Sequence, residues 1–258
     1  MATLDGNQIL HQLSDPFYPE CHVRESVTST FDWLKELERS GAPEGTIVIA
    51  GRQSAGRGRR GRVWQSPVGG AWFGILLKPK IPVAQSGCIS VLSAVAIAHA
   101  LREEYNRPVE VKWPNDLWLY QKKLGGILSE LTTAGNRVES LLLGIGINVN
   151  NSVPKDVRIE AISLAETLGH DVDLQDFFVV VLTEFASLYK KFIAHGFESI
   201  RTEWERISAL SEMIWIEREH EKISAKVRGL SPLGKLVVEI DGRIEELVAD
   251  DVTLSLKE

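Results

Sequence analysis

Five arginines, Arg52, Arg57, Arg59, Arg60 and Arg62, fall within eleven positions of the segment GRQSAGRGRRGR. Gly56, Gly58 and Gly61 separate them and let backbone N–H groups come close to a ligand. The planar guanidinium suits carboxylate and phosphate oxygens. Such a run repels itself unless an anion or an acidic partner neutralises it. A small-molecule anion site, a nucleic-acid patch and a solvated basic loop are all open at this point. The glycine pattern G-x-G-x-x-G, which Val63 extends to the kinase form, is weaker than the chemistry. A dinucleotide fold needs a helix straight after it, and RVWQSPVGGAW follows instead. The kinase V-A-I-K, H-R-D and D-F-G segments are missing. Arg62-Val63 stands where a Walker loop needs Lys-Ser/Thr.

A second cluster, Lys112-Trp113-Pro114-Asn115-Asp116, joins two predicted strands. Pro114 breaks the ladder, so polar side chains project at a strand end instead of pairing within the sheet. Lys123 follows the next turn, and Gly125-Gly126 leave room for a close backbone–ligand contact. A lysine, an asparagine and an aspartate at one bend suit a polyphosphate and its Mg²⁺; an ordinary charged β-turn is the competing reading. His99, His170, His195 and His220 have no metal-ligand spacing. Cys21 and Cys88 are too few for a disulfide framework or a thiolate zinc site. Neither a Ser–His–Asp nor a Cys–His arrangement is visible.

These clusters need elements to hold them. Thr30 to Leu37 reads as a short helix capped by Thr28 or Ser29 and followed by Gly41. Thr46 to Gly51 and Trp72 to Leu77 read as strands, and about Ile89 to Tyr105 as a helix. Four further strands are expected at Val109 to Trp113, Asp116 to Tyr120, Leu124 to Leu131 and Val138 to Asn148. Leu174 to Phe192 is strongly amphipathic, with Asp173 to cap it and Gly196 just past its end. A helix from about Phe197 to Ile207 follows. From Met213 the chain turns to short strands with a hairpin signal at Asp241-Gly242. The expected architecture is an α+β body, residues 1–210, with a small SH3-like β-barrel at 211–258.

With 258 residues, 44% hydrophobic and 25% charged, the composition is that of an ordinary soluble domain. A net charge of −6 disfavours a protein built chiefly to hold nucleic acid. The amino terminus shows no signal peptide, and the apolar run from Cys88 to Leu101 reads as too short to span a bilayer. A cytoplasmic enzyme is expected.

Taken in order, GRGRRGRVWQSP, KWPNDLWLYQKKLGGILSE and GIGINVN closely resemble the biotin protein ligases. The likeness runs from about Val27 to Asn150, weakens through the helical segment and returns in AKVRGLSPLGKLVVEIDGRIEELV. The resemblance implies a class II synthetase-like catalytic fold, a mixed sheet with helices packed on it. It implies biotin and ATP as substrates, Mg²⁺, and transfer of biotin to a lysine of a biotin carboxyl carrier protein domain. Ser29, Thr30 and Gln53 would hold the ureido head; Gly56, Arg57, Gly58 and Arg59 would wrap the valeryl chain and carboxylate. Arg57, Arg62, Trp64, Lys112, Asn115, Asp116, Gly125, Gly126 and Asn148 would serve the nucleotide, with Asp116 on the metal. Lys123 sits where the family places its essential lysine, and Lys123, Arg59, Lys112 and Asp116 would carry the catalysis. The family usually reads Ser-Thr-Asn where this chain has Ser29-Thr30-Phe31, and Phe31 can neither donate nor accept. The resemblance also raises a homodimer. A lipoate protein ligase is the nearest alternative. A biotin-responsive repressor is disfavoured, because only 28 residues precede Ser29.

Overall fold

The computed structural model describes residues 4–153, 160–218, 221–248 and 253–256. A seven-stranded mixed sheet carries the site. Its strands are β1 (Cys21–Val27), β2 (Ile47–Gln53), β3 (Ala71–Leu77), β4 (Glu110–Lys112), β5 (Asp116–Leu119), β6 (Lys122–Ala134) and β7 (Arg137–Ile147), in the order β1-β2-β3-β7-β6-β5-β4. Among the described strands, only β1 and β2 pair in parallel. A parallel pair needs a crossover, and α2 (Thr30–Arg39) supplies it.

Burial on both faces explains the unbroken apolar run of β3, AWFGILL. Phe73, Ile75 and Leu77 enter the main core, while Leu76 joins Phe31, Trp33 and Leu34 beneath α2. The main core lies under α3 (Ser86–Tyr105), α5 (Leu174–His195) and α6 (Glu198–Ile207). Phe178 of α5 meets the Phe73 ring edge-on. Asp173 caps α5 through the N–H groups of Gln175 and Asp176, and Gly196 ends it at φ +80°.

The expected helices and strands are present, with ends shifted by a few residues. Not foreseen are β1, the short helix α4 (Leu164–Leu168) and the full reach of α3. CHVRESV is too polar to announce a strand, and β1 is tolerated because it is an edge, paired only with β2. The segment Val83–Tyr105 is, against expectation, long and apolar enough to cross a membrane by length and composition. In the fold it is a core helix, with Cys88, Ile89, Leu92, Val95 and Leu101 buried among others.

The tail forms a second, antiparallel sheet of β8 (Met213–Arg218), β9 (Glu221–Leu230), β10 (Leu236–Ile240), β11 (Arg243–Leu247) and β12 (Thr253–Leu256). Its order is β11-β10-β9-β8-β12, so β11 and β12 are its two ends. Asp241 and Gly242 both have positive φ, +49° and +78°, as a tight two-residue hairpin turn requires. Ile214, Ile216, Leu230, Leu236 and Leu247 of this sheet join the same core as the helices of the body.

Candidate active site

The arginine loop folds back on itself as a ribbon. Gln53 bridges Ser66 and Arg57 bridges Val63, both antiparallel. Gly58 N–H donates to the Arg62 carbonyl at 2.8 Å, and Trp64 N–H to the Gly56 carbonyl at 2.9 Å. The tip, Arg59–Gly61, is a single tight turn in which Arg60 and Gly61 take φ +56° and +70°. Gly56 is required by this packing: a Cβ there would sit 2.4 Å from the Trp64 carbonyl oxygen. Its missing side chain therefore closes the ribbon rather than admitting a ligand.

Between the ribbon and the sheet lies a pocket of about 480 Å³, within the range of small-molecule sites. Its floor includes β7, where Gly144 and Gly146 alternate with inward-facing isoleucines. A Cβ on Gly144 would lie 2.3 Å from the Phe31 ring, and one on Gly146 2.5 Å from Trp64 Nε1. The two glycines of GIGINVN thus let two aromatic side chains lie flat on a strand. Phe31, 3% exposed, fills its place by packing, which is why the loss of a polar residue there leaves no buried polar gap.

On the β2 side of the pocket, the Gln53 carboxamide joins three elements. Its oxygen accepts from Thr30 N–H at 2.8 Å and from the Thr30 hydroxyl at 3.2 Å, and its nitrogen donates to the Ser66 hydroxyl at 2.8 Å. Ser29 caps α2 by accepting from Phe31 N–H.

On the other side stands the bend between β4 and β5. Lys112 and Asp116 are register partners across it, and the Trp113–Pro114 peptide is cis. Asp116 is ion-paired to Lys123 at 2.7 Å, with each side chain about one-fifth exposed. Lys112 Nζ lies 4.3 Å from the Trp118 ring centre, and Lys123 Nζ 5.3 Å from that of Trp64. Burial holds the Lys112 ammonium below the usual lysine range; Asp116 works against that shift and Lys123 adds to it.

A hydrogen bond joins the two motifs. Arg59 Nη1 donates to Asn115 Oδ1 at 3.2 Å, while the Asn115 amide is anchored on the Ile127 carbonyl. Arg57 pairs with Asp32 of α2 and lies 3.5 Å from Glu130 of β6. The chain's own carboxylates therefore supply part of the neutralisation that the arginine run demands.

Comparison with known proteins gives the family. Residues 23–148 match the family described as the biotin/lipoate A/B protein ligase family. The bifunctional ligase/repressor BirA of Bacillus subtilis is 34% identical over 233 residues, 88% of this chain and 72% of that protein. This chain belongs to the biotin/lipoate A/B protein ligase family. Within the family, the biotin–[acetyl-CoA-carboxylase] ligase of Paracoccus denitrificans is 30% identical over 199 residues, 74% of this chain and 82% of the relative. Among solved structures, the biotin protein ligase of Aquifex aeolicus in complex with biotin and ATP superposes with a TM-score of 0.80 at 30% identity. That match covers 93% of this chain and all of the other.

Of the residues singled out from sequence, Thr30, Gln53, Arg57, Gly58, Arg59, Arg62 and Trp64 line the pocket, as do Lys112, Asn115, Asp116, Lys123, Gly126 and Asn148. Ser29, Gly56 and Gly125 lie outside the lining; a Cβ on Gly125 would press on the Gly146 carbonyl at 2.7 Å, so that glycine serves strand packing. Gly144, Gly146, Leu128 and Trp113 line the pocket and were missed as ligand-facing positions. Apolar strand residues carry no chemical signal, although the alternate glycines of a strand were a readable hint of close packing. No group of three His, Cys, Asp or Glu able to hold a metal occurs among the described residues, and His220 lies outside them. Burial raises the thiols of Cys21 and Cys88 to about 12, so neither is a nucleophile at neutral pH.

Proposed function

We propose that this family member is a biotin protein ligase that makes biotinyl-5′-AMP from biotin and ATP and passes the biotin to a lysine of a carrier protein domain. One observation carries the reading. A single pocket joins neutral hydrogen-bonding groups at the end of β2, glycine-floored room on β7, and the Lys112–Asp116–Lys123 charges on β4 to β6. Thr30 and Gln53, backed by Ser29, suit a neutral ureido head that both donates and accepts. Arg57, Gly58 and Arg59 face the valeryl chain and its carboxylate. Arg62, Trp64, Lys112, Asn115, Asp116, Gly126 and Asn148 serve the nucleotide.

The first step needs no protein nucleophile. A carboxylate oxygen of biotin attacks the α-phosphorus, the bond to the bridging oxygen breaks, and pyrophosphate leaves. Lys112, Lys123 and Arg59 hold two anions together and meet the charge that develops. In the second step the neutral ε-amine of the carrier lysine attacks the anhydride carbonyl; AMP leaves, and the amine's proton passes to Asp116 or to solvent. Among the described residues, Asp116 is the one carboxylate in the pocket lining, and it is already paired with Lys123. That donor set fits Mg²⁺ only as a companion of the nucleotide phosphates, with Asp116 as its protein ligand.

Incubation with biotin and ATP is expected to yield biotinyl-adenylate by mass spectrometry. Adenylate formation from lipoate alone would overturn the reading. We read the enzyme further as cytoplasmic and homodimeric, working without nucleic acid or membrane; a monomer mass in sedimentation would overturn the dimer.

The lowered Lys112 ammonium sets a pH dependence. Its charged form binds phosphate, and in the free enzyme it loses its proton below the usual lysine range. The KM for ATP should therefore rise with pH earlier than an ordinary lysine would require. Lys112→Arg keeps its charge and should flatten that rise. Identical alkaline profiles for the two proteins would remove Lys112 from phosphate binding.

A further inference from the structure

The C-terminal sheet touches the body at a turn that reaches the pocket wall from behind. Ser231–Gly234, between β9 and β10, is closed on itself: Ser231 N–H donates to the Lys235 carbonyl at 2.8 Å and Gly234 N–H to the Ser231 carbonyl at 2.9 Å. The Ser231 hydroxyl accepts from the N–H groups of Leu233 and Lys235, and Ser231 is 3% exposed. The turn is therefore a rigid piece. It rests on the start of α3, where the Cys88 thiol points to the Pro232 carbonyl at 3.8 Å and where a Cβ on Gly234 would meet the Cys88 backbone at 3.3 Å.

From this turn the Gly234 carbonyl accepts a buried hydrogen bond of 2.9 Å from Trp113 Nε1. Trp113 is 4% exposed and lies between Lys112 and the Pro114–Asp116 segment, all of which line the pocket. The bend has a second anchor, Asn115, whose amide donates to the Ile127 carbonyl and whose own carbonyl accepts from Ile127 N–H at 2.9 Å. One anchor fixes the bend to β6 and the other fixes it to the C-terminal sheet. Without the Trp113–Gly234 bond, a buried N–H and a buried carbonyl both lose their partner.

We propose that Trp113 is a positioning residue: its indole bond to Gly234 makes the Ser231–Gly234 turn the support of the Lys112–Asp116 bend, so the nucleotide side of the pocket is set from the C-terminal sheet. This inference rests on the biotin ligase reading for its kinetic consequence. The biotin side, at Thr30 and Gln53, is held by α2, β2 and Ser66, and none of these hydrogen bonds among the described residues goes to the turn. The two substrates should therefore respond differently.

Trp113→Phe removes the N–H and keeps an aromatic ring. The expected result is a KM for ATP raised about tenfold, with biotin affinity changed by less than about twofold. Gly234→Ala approaches the same contact from the other side. At φ +74°, with the Cys88 backbone against the new Cβ, the turn must lift, and the same split is expected. The double variant should be no worse than the worse single one, because both act through one bond. Trp204→Phe is the control: that buried indole N–H has no partner among the described residues, so neither constant should move. Hydrogen exchange gives a readout independent of any substrate, and amides of 112–119 should exchange faster in Trp113→Phe and Gly234→Ala than in wild type. Equal loss for both substrates, additive effects, or unchanged exchange in 112–119 would each overturn the proposal. If Trp113→Phe does not fold, Gly234→Ala carries the test. A wild-type protein that makes no adenylate would defeat the functional reading, and the exchange experiment would still decide the support.

Discussion

Lys123→Ala is expected to slow adenylate synthesis by on the order of 100- to 1,000-fold while leaving the protein folded. Lys123 is the second residue of β6, and its N–H donates to the Glu160 carbonyl at 2.8 Å while its carbonyl accepts from Ile162 N–H at 3.0 Å. The backbone that places it is thus held on the 160–162 segment through both its N–H and its carbonyl, independently of the side chain. Its ammonium lies 2.7 Å from Asp116 and over the Trp64 ring, inside the pocket. A fixed cation at that point stabilises charge growing on the α-phosphate without first having to reorganise. Because its side chain is only partly buried, its removal should affect stability far less than rate. Pyrophosphate release measured alongside thermal unfolding separates the two, and an unchanged release rate would take Lys123 out of the mechanism.

Arg59→Gly should retain part of the adenylation activity but release the intermediate. Biotinyl-adenylate is a mixed anhydride that acylates nearby amines once it escapes. Arg59 reaches from the tip of the ribbon to Asn115 on the β4–β5 bend, so it ties the two walls of the pocket together. Cross-strand bonds shape the ribbon, and this tie carries its tip onto the opposite wall, where it can close the site. Loss of one charge-assisted hydrogen bond should weaken retention by on the order of ten- to a hundredfold. With biotin, ATP and serum albumin, streptavidin should then detect albumin labelling well above wild type. If Arg59 is a solvated surface charge, the substitution changes little. A variant that makes adenylate yet labels albumin no more than wild type would show that Arg59 is not the tie.

The charged part of the pocket left a signal in the residues alone because its chemistry is local, whereas Thr30, Gln53, Trp64 and Asn148 entered only through the resemblance to the biotin ligases. Five arginines among glycines, and a lysine, an asparagine and an aspartate around one proline, raise an anion site beside a nucleic-acid patch, a solvated loop or an ordinary charged turn before any fold is known. Helices with a strong cap and period, such as α5 with Asp173 and Gly196, were plain, as was the Asp241–Gly242 hairpin. These signals depend on neighbours a few residues apart, so the chain itself determined them.

Contacts between distant segments were decided only by the tertiary structure. The edge strand β1 exists because β2 offers it a parallel partner, which its own polar sequence does not reveal. Gly144 and Gly146 are small because Phe31 and Trp64, more than 80 positions earlier, lie on them. Arg57 meets Asp32 and Glu130, Arg59 meets Asn115, and the Trp113 indole finds a carbonyl 121 residues away. Spacing along a chain determines periodicity and capping because those forces act within a turn or two. Which glycine must be bare, and which charge is already neutralised, depends on what the closed fold brings within 4 Å.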